Sequence, residues 1–290
     1  MGDPNATFAN RISNLYVEHP KVLDIYNHLD TILAHRELEA KSRHTIIYGT
    51  GGVGKTKMAE NYVSKHPPYT IIDEEGTHID IVPVICIEIP DPFTYTELYF
   101  AILKGLGAPR IKGTVGELKD RTRSLLEKQQ VKMIIMDEIH NIIGCNMGTK
   151  NAMKSLKHIS NESNVSLVLL GTPEAKELML DDQYKTRFRP KVLYRFEECN
   201  EEFCHFLELL EKQLNPPFPI GLGDNNTLLP KILHHQCKGK VGFLVPIIIE
   251  AYRMLGVLEP EFNEFENAKL SVDILVQAHR AIIGDEDFSD

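Results

Sequence analysis

Short hydrophobic runs alternate with amphipathic stretches along most of the chain. Apolar runs of this length are typical of buried strands in a parallel sheet, and they predict strands over 45–48, 81–89, 132–138, 165–173 and 191–196. Apolar residues at a helical period predict helices over 20–35, 57–63, 93–106, 114–129, 149–160 and 174–180. The alternation of the two element types predicts an α/β fold with helices on both faces of a parallel sheet.

After the last predicted strand only helical periodicity remains, over 201–214, 227–237, 243–255 and 271–283. The change in pattern predicts two domains, an α/β core over 1–198 and a small all-helical domain over 199–290. Between the regular elements, the polar residues 1–14 are expected to be loosely held. The proline-containing acidic stretch 67–80 is expected to be a loop, and 184–190 is expected to be a basic turn.

A glycine-rich segment that fits G-x-x-x-x-G-K-[ST] lies between the first predicted strand and its helix. Its members are Gly49, Thr50, Gly51, Gly52, Val53, Gly54, Lys55 and Thr56. Glycines allow backbone N–H groups to surround phosphates, Lys55 can reach the terminal phosphates, and the Thr56 hydroxyl can bind Mg²⁺. The alternative is a glycine-rich turn that contains Lys-Thr by chance, and the strand–loop–helix context argues against it. The segment therefore predicts binding of ATP and Mg²⁺.

Two carboxylates, Asp137 and Glu138, end the strand predicted over 132–138. In proteins with a phosphate loop, an acid at this place holds Mg²⁺, and a second acid beside it can polarise a water for attack on the γ-phosphate. The alternative is a pair of solvated acids at a surface turn. Asp137-Glu138-Ile139-His140 also fits the D-E-x-H of a helicase superfamily, but such helicases need two tandem cores. We therefore interpret His140 as a packed or surface residue.

Three further residues are candidates for the same chemistry. Thr172 closes the strand predicted over 165–173 and can sense the γ-phosphate or orient water; the alternative is a helix N-cap. Arg187 and Arg189 follow a short predicted helix. In an oligomer, an arginine at such a place can reach the γ-phosphate of a neighbouring copy, and Arg187 is favoured because it is nearer the helix end. The alternative is a pair of surface arginines.

The composition is that of an ordinary globular protein, with 42% hydrophobic and 25% charged residues among 290. The net charge of −9 argues against a protein coated with nucleic acid, but not against a local basic rim. No apolar run approaches the ~18 residues that span a bilayer, and the N-terminus lacks an apolar signal core. No two of the five cysteines form a C-x-x-C motif, so reduced thiols in a cytoplasmic protein are expected.

The chain resembles the AAA+ ATPases in a combination of features. These are a phosphate loop, an Asp-Glu strand end, a polar residue after the fourth strand, arginines after the next helix and a helical lid. Several segments look like the TniB/TnsC family, the AAA+ regulators of transposons related to the Tn-seven group and of CRISPR-associated transposons. These segments are Lys112-Gly113-Thr114-Val115, Asp120-Arg121-Thr122, the strand at 133–138, Leu169-Leu170-Gly171-Thr172-Pro173 and Gln183-x-x-x-Arg187-Phe188-Arg189. The resemblance covers about residues 15–283.

The resemblance implies an AAA+ core over 1–198 and a lid over 199–290. It also implies that Lys112 and Thr114 touch the backbone of duplex DNA inside a ring or helical oligomer. Arg110 and Arg121 belong to the same basic stretch. The alternative for this stretch is a solvated loop whose threonine caps the next helix, since Thr114 and Glu117 fit a capping box.

The chain departs from the family at two places. The position of a further basic DNA contact is occupied by Thr96, and the lid offers Lys240 where an arginine is usual. The resemblance implies a bacterial cytoplasmic ATPase that marks target DNA, recruits a transposase and works with a target-selection protein. Two other functions stay open, a clamp-loader or replication-initiator-like ATPase and a P-loop kinase acting on a small molecule.

Overall fold

The chain is described here by a computed structural model that covers residues 10–12, 14–34, 43–72, 74–216, 219–259 and 270–284. Contacts between residues divide it into two compact units. The first contains 21–51 and 55–193. The second contains the described residues up to Pro20, Gly52–Gly54 and those from Tyr194 onward.

The strands of the first unit are β1 (His44–Tyr48), β2 (Tyr69–Ile72), β3 (His78–Ile81), β4 (Val84–Glu88), β5 (Met133–Asp137), β6 (Ser166–Gly171) and β7 (Phe188–Val192). Five of them form a parallel sheet in the order β4-β5-β6-β1-β7. Every residue of β1, β5 and β6 is buried, as expected for central strands covered on both faces. Because the strands are parallel, the segments that follow β1, β5 and β6 meet at one edge of the sheet.

The helices of the first unit are α1 (Pro20–Ala34), α2 (Lys55–Ser64), α3 (Tyr95–Gly105), α4 (Val115–Lys128), α5 (Thr149–Ser163) and α6 (Asp182–Lys185). Two short 3-10 helices complete it, Ile139–Ile142 after β5 and Pro173–Met179 after β6. The predicted capping box at the start of α4 is confirmed, because Thr114 and Glu117 exchange both hydrogen bonds. The core is built from apolar residues of α3, α4, α5 and the central strands.

The second unit is helical, with α7 (Glu201–Leu214), α8 (Leu229–Cys237), α9 (Val241–Met254) and α10 (Val272–Ile283). The carboxylate of Glu211 on α7 accepts hydrogen bonds from three successive backbone N–H groups, those of residues 220–222. In the described part of the chain, no helix has both the length and the apolar character needed to cross a bilayer.

The expectation that residues 1–14 are loosely held is wrong for the part that is described. Ile12 and Leu15 are only 1% and 6% exposed and belong to the apolar core of the second unit. The side chain of Arg11 donates to the carbonyl oxygens of Leu214 and Asn215 at the end of α7, at 3.0 and 3.1 Å. Residues 1–9 lie outside the described ranges.

Two predictions of local structure are corrected. The stretch 67–80 contains an antiparallel hairpin of β2 and β3 rather than a loop. Its strands are short and expose Tyr69 and Ile72, so they lack the buried alternating face that identifies a strand in a sequence. The last strand begins at Phe188 instead of residue 191, which places Pro190 inside it. Because β7 is an edge strand, a proline there removes no required ladder hydrogen bond.

Candidate nucleotide-binding site

The glycine-rich segment forms a tight connection between β1 and α2. The Gly49 N–H donates to the Gly171 carbonyl oxygen at 3.1 Å, which ties the start of the loop to the end of β6. Gly52 and Gly54 have φ values of +81° and +94°, where a side chain would be strained. A Cβ added at Gly54 would meet nothing within 4 Å, so backbone conformation and not space requires glycine there.

The side chain of Lys55 folds back across this loop. Its Nζ donates to the carbonyl oxygens of Gly49 and Thr50 at 2.7 and 3.3 Å, and the residue is 8% exposed. Burial lowers the pKa of the ammonium group, while the nearby carboxylates, Asp137 foremost, act in the opposite direction. Lys55 is therefore a desolvated cation held at the mouth of the loop, where it can contact the phosphates of a bound nucleotide.

Thr56 and Asp137 are 81 positions apart in the sequence but adjacent in the fold. The Thr56 hydroxyl donates to Asp137 Oδ2 at 2.5 Å, and Asp137 is only 4% exposed. A hydroxyl and a carboxylate at one point are the oxygen ligands that Mg²⁺ takes beside nucleotide phosphates. The described residues hold no cluster of three or more His, Cys, Asp or Glu side chains suited to a metal. The Thr56 hydroxyl and the Asp137 carboxylate fit Mg²⁺, which takes few protein ligands and keeps water and phosphate.

Glu138 occupies the turn between β5 and the following 3-10 helix. Its backbone is left-handed, with φ 55° and ψ 39°, and its N–H donates to Asp137 Oδ1 at 2.8 Å. A left-handed glutamate is unfavourable and persists only where its surroundings impose it, which occurs most often at functional sites. Its carboxylate remains 38% exposed, so water can reach it. The geometry suits a group that accepts a proton from a water molecule.

Thr172 lies at the same edge of the sheet, directly after β6. Its side chain forms no cap hydrogen bond with the 3-10 helix that it precedes, and interaction with its hydroxyl is the main cause of the lowered pKa of Glu174. The carboxylate of Glu174 is one of three that oppose the lowering of the Lys55 pKa by burial, after those of Asp137 and Glu138. No local pattern in the sequence marks Glu174, because its position becomes evident only when β6 is placed beside β1.

The two arginines lie at the opposite edge of the sheet. In the β1–β7 register, Phe188 pairs with His44, whereas Val192 pairs with Tyr48 next to the phosphate loop. At about 3.3 Å per residue, this places the start of β7 roughly 13 Å from the loop end of β1. The structure therefore does not bring Arg187 and Arg189 to the nucleotide site of their own chain. The Arg187 guanidinium instead donates to Asn161 Oδ1 at 3.3 Å.

The basic stretch before α4 is a surface loop in which Arg110 and Lys112 are exposed. Arg121 donates to the carbonyl oxygens of Pro109 and Arg110 at 2.6 and 3.1 Å, so it supports the loop from α4. Thr114 donates to the Glu117 carboxylate through its N–H at 2.7 Å and through its hydroxyl at 3.0 Å. Its donors are thus already engaged.

The phosphate loop after β1, the acidic end of β5 and the helical second unit define a P-loop NTPase of the AAA+ class. Two solved structures show the fold. The Orc1 protein of Aeropyrum pernix in complex with DNA matches with a TM-score of 0.63 at 17% identity, over 92% of this chain and 66% of that chain. Domain III of the replication initiation protein DnaA from Thermotoga maritima matches with a TM-score of 0.54 at 16% identity, over 97% and 98%.

The sequence places the chain in a particular AAA+ family. Residues 10–198 match the family described as Bacterial TniB protein, so the chain belongs to the TniB family. Both the predicted fold class and the predicted family are confirmed. No curated protein shows significant sequence similarity to the chain. The chain spans about two thirds of the Orc1 structure, and identities this low show the shared fold alone.

Proposed function

We propose that this chain is an ATP-driven switch that assembles on duplex DNA, recruits a transposase to the marked target and is released when ATP is hydrolysed. The observation that carries the proposal is the junction of Thr56, Asp137 and Glu138 at the edge of the sheet that holds the phosphate loop. Membership of the TniB family supports the role in transposition, with a target-selection protein as a further partner and the bacterial cytoplasm as its location.

In the proposed reaction, ATP and water give ADP and phosphate. The loop N–H groups and Lys55 bind the phosphates, and Thr56 and Asp137 would hold Mg²⁺, which would supply positive charge to the phosphate oxygens. Glu138 accepts a proton from the attacking water, whose oxygen forms the new bond to the γ-phosphorus while the bond to the ADP oxygen breaks. Thr172 follows β6, the neighbour of β1, and is assigned the role of contacting the γ-phosphate or orienting the water.

The separation between the arginines and the phosphate loop supports an oligomeric enzyme. Arg187 lies at the far edge of the sheet, which favours a role on the nucleotide of another copy. An arginine supplied in this way stabilises the charge of the transition state and is worth about 10³-fold or more in other phosphoryl-transfer enzymes. The proposed site is therefore complete only between two copies.

We expect Arg187→Ala to lower the ATPase rate of DNA-bound assemblies about 10³-fold, because it removes the cation offered to the neighbouring nucleotide. Arg189→Ala is measured alongside it to decide which arginine acts. Mixing Arg187→Ala with Lys55→Ala should restore part of the ATPase rate. The Arg187→Ala copies keep an intact pocket and the Lys55→Ala copies keep an intact arginine, and about one interface in four of an equal random mixture joins the two.

The control for this experiment is Arg253→Ala, since Arg253 is an exposed arginine that forms an ion pair with Glu250 on α9. Its rate should equal that of the unmodified chain. Failure to recover activity at any mixing ratio would assign Arg187 and Arg189 a structural role.

The DNA contact is proposed for the loop before α4. Among the described residues, Lys112 has no hydrogen bond or ion pair and is exposed, as is Arg110. Thr114 and Arg121 are secondary contacts, because Thr114 donates to Glu117 and Arg121 to the loop carbonyls. Cations on a surface loop bind phosphates without reading bases, which suits a protein that marks targets chosen by others.

We expect Lys112→Ala to weaken binding to duplex DNA equally across sequences and to reduce the salt slope by about one unit for each phosphate that Lys112 neutralises. Affinity is measured against salt concentration by fluorescence anisotropy with labelled duplexes of different sequence. Lys128→Ala, a change at the other end of α4, serves as the control. Unchanged affinity and slope in both Lys112→Ala and Thr114→Ala would rule out this loop as the DNA contact.

A second function remains a candidate because the matching solved structures include Orc1 in complex with DNA and a replication initiation protein. An ATPase of that kind would load another protein on DNA. Capture of a transposase rather than a helicase by the ATP-bound chain separates the two.

Electron microscopy of the chain with ATP and plain duplex DNA tests the assembly. Release of free phosphate rather than a phosphorylated acceptor excludes a small-molecule kinase.

A further inference from the structure

His140 lies in the 3-10 helix that follows β5, between two fully buried neighbours. Ile139 and Ile142 are both 0% exposed and anchor this helix in the core. The end of β6 packs closely against it, because a Cβ added at Gly171 would lie 2.7 Å from the Ile139 side chain and 2.8 Å from Ala175. The backbone that carries His140 is therefore fixed from both sides.

The imidazole of His140 is directed at Glu138. Its Nδ1 lies 3.1 Å from Glu138 Oε2. This nitrogen is shielded from water, and its alignment falls short of a hydrogen bond, so within the described residues it has no hydrogen-bond partner. A buried ring nitrogen with one carboxylate oxygen in reach can complete a hydrogen bond by a small rotation of that carboxylate.

We propose that His140 is a positioning residue for Glu138, holding the carboxylate in the orientation in which it accepts a proton from water. The proposal rests on the proposed role of Glu138 in ATP hydrolysis. The left-handed backbone fixes the Cα of Glu138 but not its side-chain torsions, which give a glutamate considerable rotational freedom. Donation from Nδ1–H to the carboxylate restricts those torsions.

The test uses three substitutions that differ in where they place a donor. In His140→Asn the amide nitrogen can occupy the place of Nδ1, in His140→Gln it lies one atom further out, and His140→Leu keeps similar bulk without a donor. We expect His140→Leu and His140→Gln to lower kcat about tenfold or more with KM changed less than about twofold, and His140→Asn to keep kcat within about threefold.

The same substitution in a chain that carries Glu138→Gln shows whether His140 acts through Glu138. We expect His140→Leu to reduce turnover by less than about twofold in that background, because the group that it positions is already absent. His205→Leu is the matched control, since His205 Nδ1 lies 3.3 Å from the Glu208 carboxylate and both side chains are exposed on the surface of α7. Thermal unfolding and nucleotide affinity verify that each variant is folded.

The outcomes separate this proposal from the one on which it rests. If Glu138→Gln hydrolyses ATP as fast as the unmodified chain, the proposed function of Glu138 fails. If Glu138→Gln is inactive but His140→Leu keeps full turnover, only the positioning role is overturned. Equal reductions in His140→Asn and His140→Leu would also overturn it, because the donor at Nδ1 would then be irrelevant. A rescue by asparagine alone supports it.

Discussion

Glu138→Gln is expected to lower ATP turnover about 100-fold or more while nucleotide binding is kept. The amide has the size and shape of the carboxylate but cannot accept the proton of the attacking water. The left-handed turn and the hydrogen bond from the Glu138 N–H to Asp137 involve only the backbone of residue 138, so both should survive the substitution. Assemblies formed on DNA in the presence of ATP should then persist.

Phosphate release in the presence of DNA and Mg²⁺ measures the rate, and equilibrium binding of a fluorescent ATP analogue measures the affinity. Glu177→Gln, an exposed change on the 3-10 helix after β6, is the control and should turn over normally. A Glu138→Gln rate within about threefold of the unmodified chain would place the base elsewhere, since a general base contributes about 10² or more.

Lys55→Ala should weaken nucleotide binding at least about 100-fold, because charge-assisted hydrogen bonds contribute about 1.5–3 kcal/mol each and the substitution removes two or more of them. The substitution also removes a desolvated ammonium whose pKa is already lowered by burial, so the folded chain itself should lose little stability. Isothermal titration with ATP and Mg²⁺ gives the affinity, and thermal unfolding without nucleotide gives the stability.

Lys57→Ala is the matched control for Lys55→Ala. Lys57 lies two residues further on, is 62% exposed and forms an ion pair with Glu60 on the surface of α2. Its replacement should leave affinity unchanged. If Lys55→Ala bound ATP as tightly as Lys57→Ala, the segment 49–56 would not be the phosphate loop.

The elements of the candidate nucleotide site could be located in the sequence because their signals are local. A glycine-rich loop between a strand and a helix, and an acidic end to an apolar strand, are each contained in a few consecutive residues. Their meeting in space followed from the rule that the ends of parallel strands share an edge, and the hydrogen bond between Thr56 and Asp137 agrees with it. The capping box at Thr114 could likewise be predicted from the spacing of three residues between Thr114 and Glu117.

The remaining features depend on contacts that no short segment contains. The place of Thr172 near the phosphate loop requires β6 to lie beside β1 in the sheet. The burial of Ile12 requires the helices of the second unit, which follow it by about 190 residues or more. The hairpin of β2 and β3 is missed for a different reason: it is local, but its strands are short and bury little, so no alternating apolar pattern marks them.

The register of β1 with β7 places the phosphate loop and the arginines at opposite edges of the sheet. Each copy would receive an arginine at the edge that carries the phosphate loop and would offer one at the other edge. Head-to-tail association of this kind either closes into a ring or continues as a helix. In an open helix the two ends are chemically different. The copy at one end holds nucleotide that no neighbour completes, whereas the copy at the other end presents an arginine with no pocket to enter. Growth and disassembly would then proceed at unequal rates at the two ends.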